Sequence, residues 1–244
     1  QTRRLFGLAA RDLAAARRLP SLPKRVWAGS AGKWPGRVLS VEILRRGGEI
    51  IRFDHSARRG VNRFPAWPAV IDLYFSNEYV LATDELARRL EAQGVKELMP
   101  CDRQCRITGH TGEPTFKSLR TERVGSNGER RRVVYAPGLL RGLLQTIHAQ
   151  IPDVIYLDWQ MRLTEMLLRL PIDLVCRPHP EGILEGRRHP LADIAPVADR
   201  VFEDLIPETD VFVTDQPHST TFHAALCTDR PVVLIDFGAP FFDD

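Results

Sequence analysis

The sequence predicts an α/β protein of two Rossmann-like domains, with parallel sheets covered by helices on both faces. Short apolar runs such as Val211-Phe212-Val213 and Pro231-Val232-Val233-Leu234-Ile235 flank a helical stretch, Phe222-His223-Ala224-Ala225-Leu226. That alternation is the pattern of a parallel sheet. The strand-and-helix series occurs twice, with a glycine-punctuated charged stretch between, which divides the chain into residues 1–130 and 131–244. Polar residues gather where strands hand over to helices, the place where such sheets bind ligands.

A chain of 244 residues is long enough for either one large core or two smaller ones. Hydrophobic content of 43% and charged content of 27% are those of a soluble globular protein. The net charge of +3 is too small for bulk nucleic-acid binding, and no aromatic-basic pattern suggests it. The basic residues are mostly arginine, which suits carboxylate and phosphate recognition. Of the four cysteines, Cys176 and Cys227 fall in segments expected to be buried. Cys101 and Cys105, with His110 near by, lack a fourth ligand at a metal-binding spacing, so no metal site is expected. A reducing, cytoplasmic setting is the default. No apolar run approaches the roughly 20 residues that span a bilayer. The chain starts at Gln1 rather than Met, so it reads as a candidate fragment of a longer protein.

In chain order, residues 2–19 form an amphipathic helix with Leu5, Leu8, Ala9, Leu13 and Ala16 on one face, ended by Pro20 and Pro23. A surface helix is the simpler reading, and peripheral association with the inner face of a membrane stays open. Residues 25–28 form a strand, and Gly29-Ser30-Ala31-Gly32-Lys33 a glycine-rich turn into a helix from Pro35 to Arg46. The glycine spacing is too short for a phosphate-binding P-loop. Gly47-Gly48 closes that helix, and residues 49–53 make the next strand. Residues 69–75 read as a further strand. Thr83 caps a helix to Gln93, and residues 95–99 read as a short strand. Residues 100–132 are an irregular connection with a hairpin near Asn127-Gly128. The second series holds a strand at 132–137, helices from 138 to 150 and from 158 to 170, and a strand at 171–176. In the second of those helices Trp159, Leu163, Met166, Leu167 and Leu170 are expected inward.

Candidate chemistry sits at the strand ends. Asp54 and His55 follow the 49–53 strand, where a histidine can serve as general base or phosphate donor. Arg58, Arg59 and Arg63 read as a solvated loop, with contact to an acidic sugar or lipid-linked phosphate as the alternative. Asp215, His218, Ser219, Thr220 and Thr221 lie between a strand and a helix start, a setting suited to a phosphate-bearing ligand or to simple helix capping.

Arg177-Pro178-His179-Pro180-Glu181 after an apolar strand, then Asp215-x-x-x-Ser219-Thr220, a helix and Arg230-Pro-Val-Val-Leu-Ile235, resembles the C-terminal half of GT-B-fold transferases. The pattern is similar to that of bacterial surface-polysaccharide enzymes of the cell envelope. They include CDP-glycerol glycerophosphotransferases, capsule Kdo transferases and surface carbohydrate biosynthesis proteins. Gly47-Gly48-x-Ile50-Ile51-x-Phe53-x-His55 resembles their strand with a proposed catalytic histidine. The resemblance implies two facing domains and metal-independent transfer of a sugar or glycerol phosphate from a nucleotide-activated donor to a saccharide or lipid-linked acceptor. No cofactor is implied beyond that donor. It implies Arg177, His179, Glu181, Ser219 and Thr220 on the donor, and His55 with Asp54 as the base. Gly29, Ser30, Arg58 and Arg59 are expected on the acceptor side. Two positions depart from the family: Ser56 stands where it has glycine, and His223 where many such enzymes have a ribose-gripping glutamate. A sugar-nucleotide epimerase and a non-catalytic nucleotide-binding domain remain alternatives on the same scaffold.

Overall fold

A computed structural model describes residues 2–30, 33–55, 59, 66–100, 104–112, 114–120, 130–142, 151–217 and 219–236. The chain is α/β and divides into two compact units, one running to residue 113 and the other beginning at Pro114. Each is built on a four-stranded, wholly parallel sheet.

The first unit has strands β1 (Arg25–Ala28), β2 (Glu49–Phe53), β3 (Glu78–Leu81) and β4 (Arg106–Gly109), in that spatial order. Side chains alternate across a strand, so one register line shares a face. Ile50, Arg52, Tyr79, Leu81 and Ile107 form the buried face. The alternate residues Trp27 and Phe53 are 72% and 45% exposed. Tyr79, Leu81 and Ile107 pack with Ala87 and Leu90 of helix α4 (Asp84–Ala92) and with Ala69 and Leu73. Thr83 caps α4 by accepting the Leu86 N–H at 3.2 Å. Helix α1 (Thr2–Arg17) packs on helix α2 (Trp34–Arg45).

Three expectations fail in this unit. Residues 69–75 are not a strand: they form helix α3 (Ala66–Ile71) and a 3₁₀ turn (Leu73–Phe75). Pro68, Asp72 and Ser76 are buried along with Ala69, Ile71 and Leu73, which a one-sided strand would not give, and helix α3 and the 3₁₀ turn bring the apolar three to the core. Residues 95–99 are also turns, with Val95 and Met99 meeting the core four residues apart. The stretch expected to be irregular holds β4, an edge strand for which Ile107 alone supplies the buried apolar side chain, and, at the start of the second unit, helix α5 (Pro114–Lys117).

The second unit orders its strands β6 (Ile172–Cys176), β5 (Arg131–Ala136), β7 (Val211–Thr214) and β8 (Val232–Leu234). Both faces of its sheet are covered. Val134, Ala136 and Phe212 pack with Phe202, Leu205 and Ile206 and with Ala224 and Ala225 of helix α7 (Thr220–Leu226). Val133, Tyr135, Leu174 and Val213 pack on the other side with Leu163 of helix α6 (Asp153–Leu168) and with Leu191. Residues 138–142 are not helical, and 143–150, like the hairpin near 127, lie outside the described residues. Helix α6 begins five residues before the expected start, and Met166 and Leu170 are exposed rather than inward. Cys176 is fully buried, and burial pushes its thiol up to about 11, while Cys227 is only half-buried.

Candidate functional site

In the second unit the site is built at the carboxyl ends of β5, β6 and β7. Asp215, the first residue after β7, is 1% exposed, and its carboxylate is turned inward. Its Oδ2 accepts the Tyr135 hydroxyl at 2.7 Å, and its Oδ1 accepts the Tyr156 hydroxyl at 2.7 Å and the Gly138 N–H at 2.8 Å. The residue expected among the phosphate contacts is therefore an internal clamp that ties β5, β7 and α6 together. Burial pushes its carboxyl above the usual range, and the three donors pull it back. Burial also pushes both tyrosine hydroxyls up, so they remain proton donors. Gly138 has no room for a side chain: a Cβ there would lie 2.4 Å from the Tyr156 hydroxyl.

The same clamp sets the loop after β5. Asp153, in the first turn of α6, accepts the N–H of Arg141 at 2.8 Å and of Gly142 at 2.5 Å. The loop after β6 lies directly against it. Ile183 N–H donates to Leu140 O at 3.0 Å, and Gly182, at φ +105°, would place a Cβ 2.3 Å from that same oxygen. This contact brings Arg177 and His179 beside Arg141. The charges of Arg177 and Arg141 both disfavour protonation of His179, after burial as the leading cause, and its pKa is lowered. His179 Nδ1 accepts the Glu181 N–H at 3.1 Å, so Nε2 carries the ring proton of the neutral form. Arg177 is anchored through Nε to Arg200 O and through Nη1 to Pro178 O, each at 2.5 Å. His179 thus offers a neutral N–H donor near enough to feel the charges of Arg177 and Arg141, a set suited to a phosphate.

The remaining predicted donor residues divide. Ser219 is the cap of α7, its Oγ accepting the Phe222 N–H at 3.0 Å. Thr220 is exposed and Thr221 half-buried. His223 donates through Nδ1 to Ser219 O at 2.9 Å. Glu181 is exposed, and His218 lies outside the described residues.

In the first unit Asp54 follows β2 and turns inward. It accepts the Tyr79 hydroxyl at 3.0 Å and lies 3.8 Å from Arg59 Nε. Burial pushes its carboxyl up, opposed by Arg59 and Tyr79. Arg59, expected in a solvated loop, is 6% exposed and pairs with Asp72 at 3.1 Å. Two buried acids recruit it: an arginine bordering a parallel sheet's polar edge is less costly buried and paired than those acids are alone. Ser30 Oγ donates to Asp72 Oδ1 at 3.0 Å, and buried Arg52 donates to Gly29 O at 2.8 Å, so the Gly29-Ser30 turn is pinned from beneath. His55 is exposed at the end of this network. Arg58 lies outside the described residues.

Sequence reasoning missed Arg141, Asp153, the two clamp tyrosines and the Arg52–Asp72 network. Arg141 had a signal, a cation just beyond a strand end like Arg177; the others act through distant partners. Among the described residues no cluster of three or more His, Cys, Asp or Glu is placed to hold a metal ion.

These features define a two-unit, Rossmann-like α/β protein with a basic cluster at the carboxyl edge of its second sheet. Neither a family model nor a curated protein sequence matches the chain. Among solved structures it is similar to a trehalose-6-phosphate synthase, studied with bisubstrate glycomimetics for the mechanism of glycosyl transfer with retention. That likeness has 14% identity and a TM-score of 0.48, and covers 95% of this chain and 63% of the other. The fold assignment itself rests on the two parallel sheets.

Proposed function

We propose that the chain is a GT-B-like glycosyltransferase-type enzyme moving a sugar or glycerol phosphate from a nucleotide-activated donor to a saccharide or lipid-linked acceptor. The observation that carries this is the convergence of Arg141, Arg177 and His179 at the carboxyl edge of β5 and β6. Departure of a nucleoside diphosphate leaves negative charge on its phosphates, and fixed guanidinium groups with an N–H donor stabilise that charge without reorganising. Two arginines supply the charge compensation a divalent metal would otherwise give. His55 is the base we assign to the acceptor hydroxyl, at the end of a strand whose edge holds the buried Asp54–Tyr79–Arg59 network.

Thermal shift with CMP, CDP, UDP and GDP tests the donor site. A nucleotide at about 100 times its Kd stabilises by about 2.7 kcal/mol, a rise of several degrees. Arg177→Ala and His179→Ala should abolish that rise; no response to any nucleotide, or an equal response in both variants, would sink the reading. His55→Ala should lose transfer and keep the nucleotide response. An epimerised product formed from donor alone would move the assignment to the epimerase.

A further inference from the structure

We infer that the first two turns of α1 are a docking surface for an anionic lipid membrane. At about 100° per residue, Leu5, Phe6 and Leu8 occupy an arc of about 160°, and Arg3, Arg4 and Arg11 flank it about 40–60° beyond its edges. In its C-terminal half the same arc carries Ala9, Asp12, Leu13 and Ala16, and there it is covered: Ala16 is buried, and the other three are half-buried. Trp34 Nε1 donates to Asp12 Oδ2 at 2.9 Å, and Arg46 Nη2 donates to Arg17 O and Leu19 O at 2.9 Å each, so this half is held to α2. The stripe then continues beyond the covered part. Leu5, Phe6 and Leu8 are 62%, 71% and 39% exposed, with no partner among the described residues.

Charge and breadth choose the occupant. Helix α1 carries four arginines and one aspartate, and that aspartate is already paired with Arg11 and Trp34. The arginines can keep their heads at phosphate level while their stems lie along the apolar side chains. An exposed apolar stripe about 160° wide with cations along its edges fits an anionic fluid interface. No described helix is long and apolar enough to cross a membrane, so this is attachment at a surface. The inference does not depend on the donor site.

The test is co-sedimentation of the chain with phosphatidylcholine vesicles, with and without about one third phosphatidylglycerol. The chain should bind the anionic vesicles, and rising salt should release it. Leu5→Glu/Phe6→Glu and Arg3→Glu/Arg4→Glu should each lower the partition coefficient more than about tenfold. Both should retain the circular dichroism of the parent and its response to nucleotide. Wild-type chain left in the supernatant, or binding that ignores both variants, overturns the inference. So does a dimer in sedimentation velocity that Leu5→Glu/Phe6→Glu dissociates while vesicles stay unbound, since the occupant is then a second copy.

Discussion

Replacing Tyr135 by Phe removes one of the two hydroxyls that hold Asp215 and leaves the ring to pack. The bond is 2.7 Å long, between residues 0% and 1% exposed, so the orphaned oxygen finds no water. A hydrogen bond to a charged group contributes about 1.5–3 kcal/mol, and the second unit should lose about 2–3 kcal/mol. The loss should also depend on pH. Burial already raises the Asp215 carboxyl, and Tyr135 is the largest of the bonds pulling it down. Without it the folded-state value rises further, while the unfolded value stays near 3.9. Between those two values the folded state holds the extra proton, so stability falls as pH rises through the window. The variant's window reaches higher than the parent's, so the cost should be greater at high pH than at low pH. Urea-dependent hydrogen exchange at the amides of β5 measures this unit's opening separately from the first. A loss below about 0.5 kcal/mol, or the same loss at both pH values, would refute the clamp.

Gly182→Ala forces a side chain into φ +105° and toward Leu140 O, and should cost about 1–3 kcal/mol by thermal denaturation. It should also weaken the nucleotide response, because the loop carrying His179 must move; an unchanged midpoint and response would refute the loop contact. The folded-state pKa of His179 is lowered, so its contribution is present above the ordinary value near 6.5 and lost as pH falls below it. His179→Gln should therefore flatten the decline of the melting temperature below about pH 6.5. His189, also lowered by burial, leaves a residual slope. Superimposable profiles would place His179 in water.

The parts of the fold legible in the sequence are those whose burial is two-sided or strictly periodic. Strands β5 and β7 read as unbroken apolar runs because both faces are covered. Strand β4 did not, since Ile107 alone meets the core. Arg177 and His179 stood out as charged residues after an apolar strand, although the flanking prolines also fit a merely rigid turn. Asp215 was found but misassigned. A carboxylate at a strand end reads the same whether it faces a ligand or the interior, and its partners lie 59, 77 and 80 residues away in the chain.

That misassignment has a counterpart in the first unit, and the two share one geometry. Asp54 is the first residue after β2, and Asp215 the first after β7. Each meets a fully buried tyrosine on the neighbouring parallel strand, at 3.0 Å for Tyr79 and 2.7 Å for Tyr135. The register is the same: Tyr79 pairs with Arg52 and Tyr135 with Val213, two residues before the respective aspartate. In both units the residue that ends the strand turns inward to bind the sheet edge, and ligand-facing positions fall to residues farther along or on the next loop. His55, Arg177 and His179, the residues proposed to meet the ligand, lie one residue past Asp54 and on the loop after β6. Burial pushes both aspartates up, so Tyr79→Phe should mirror Tyr135→Phe: a loss confined to the first unit and larger at high pH. Arg59 remains beside Asp54 to offset the charge, so its loss should be smaller than that of Tyr135→Phe. Exchange at the amides of β2 reads it directly. A loss that shrinks as pH rises would show that the two pairs are alike in shape only.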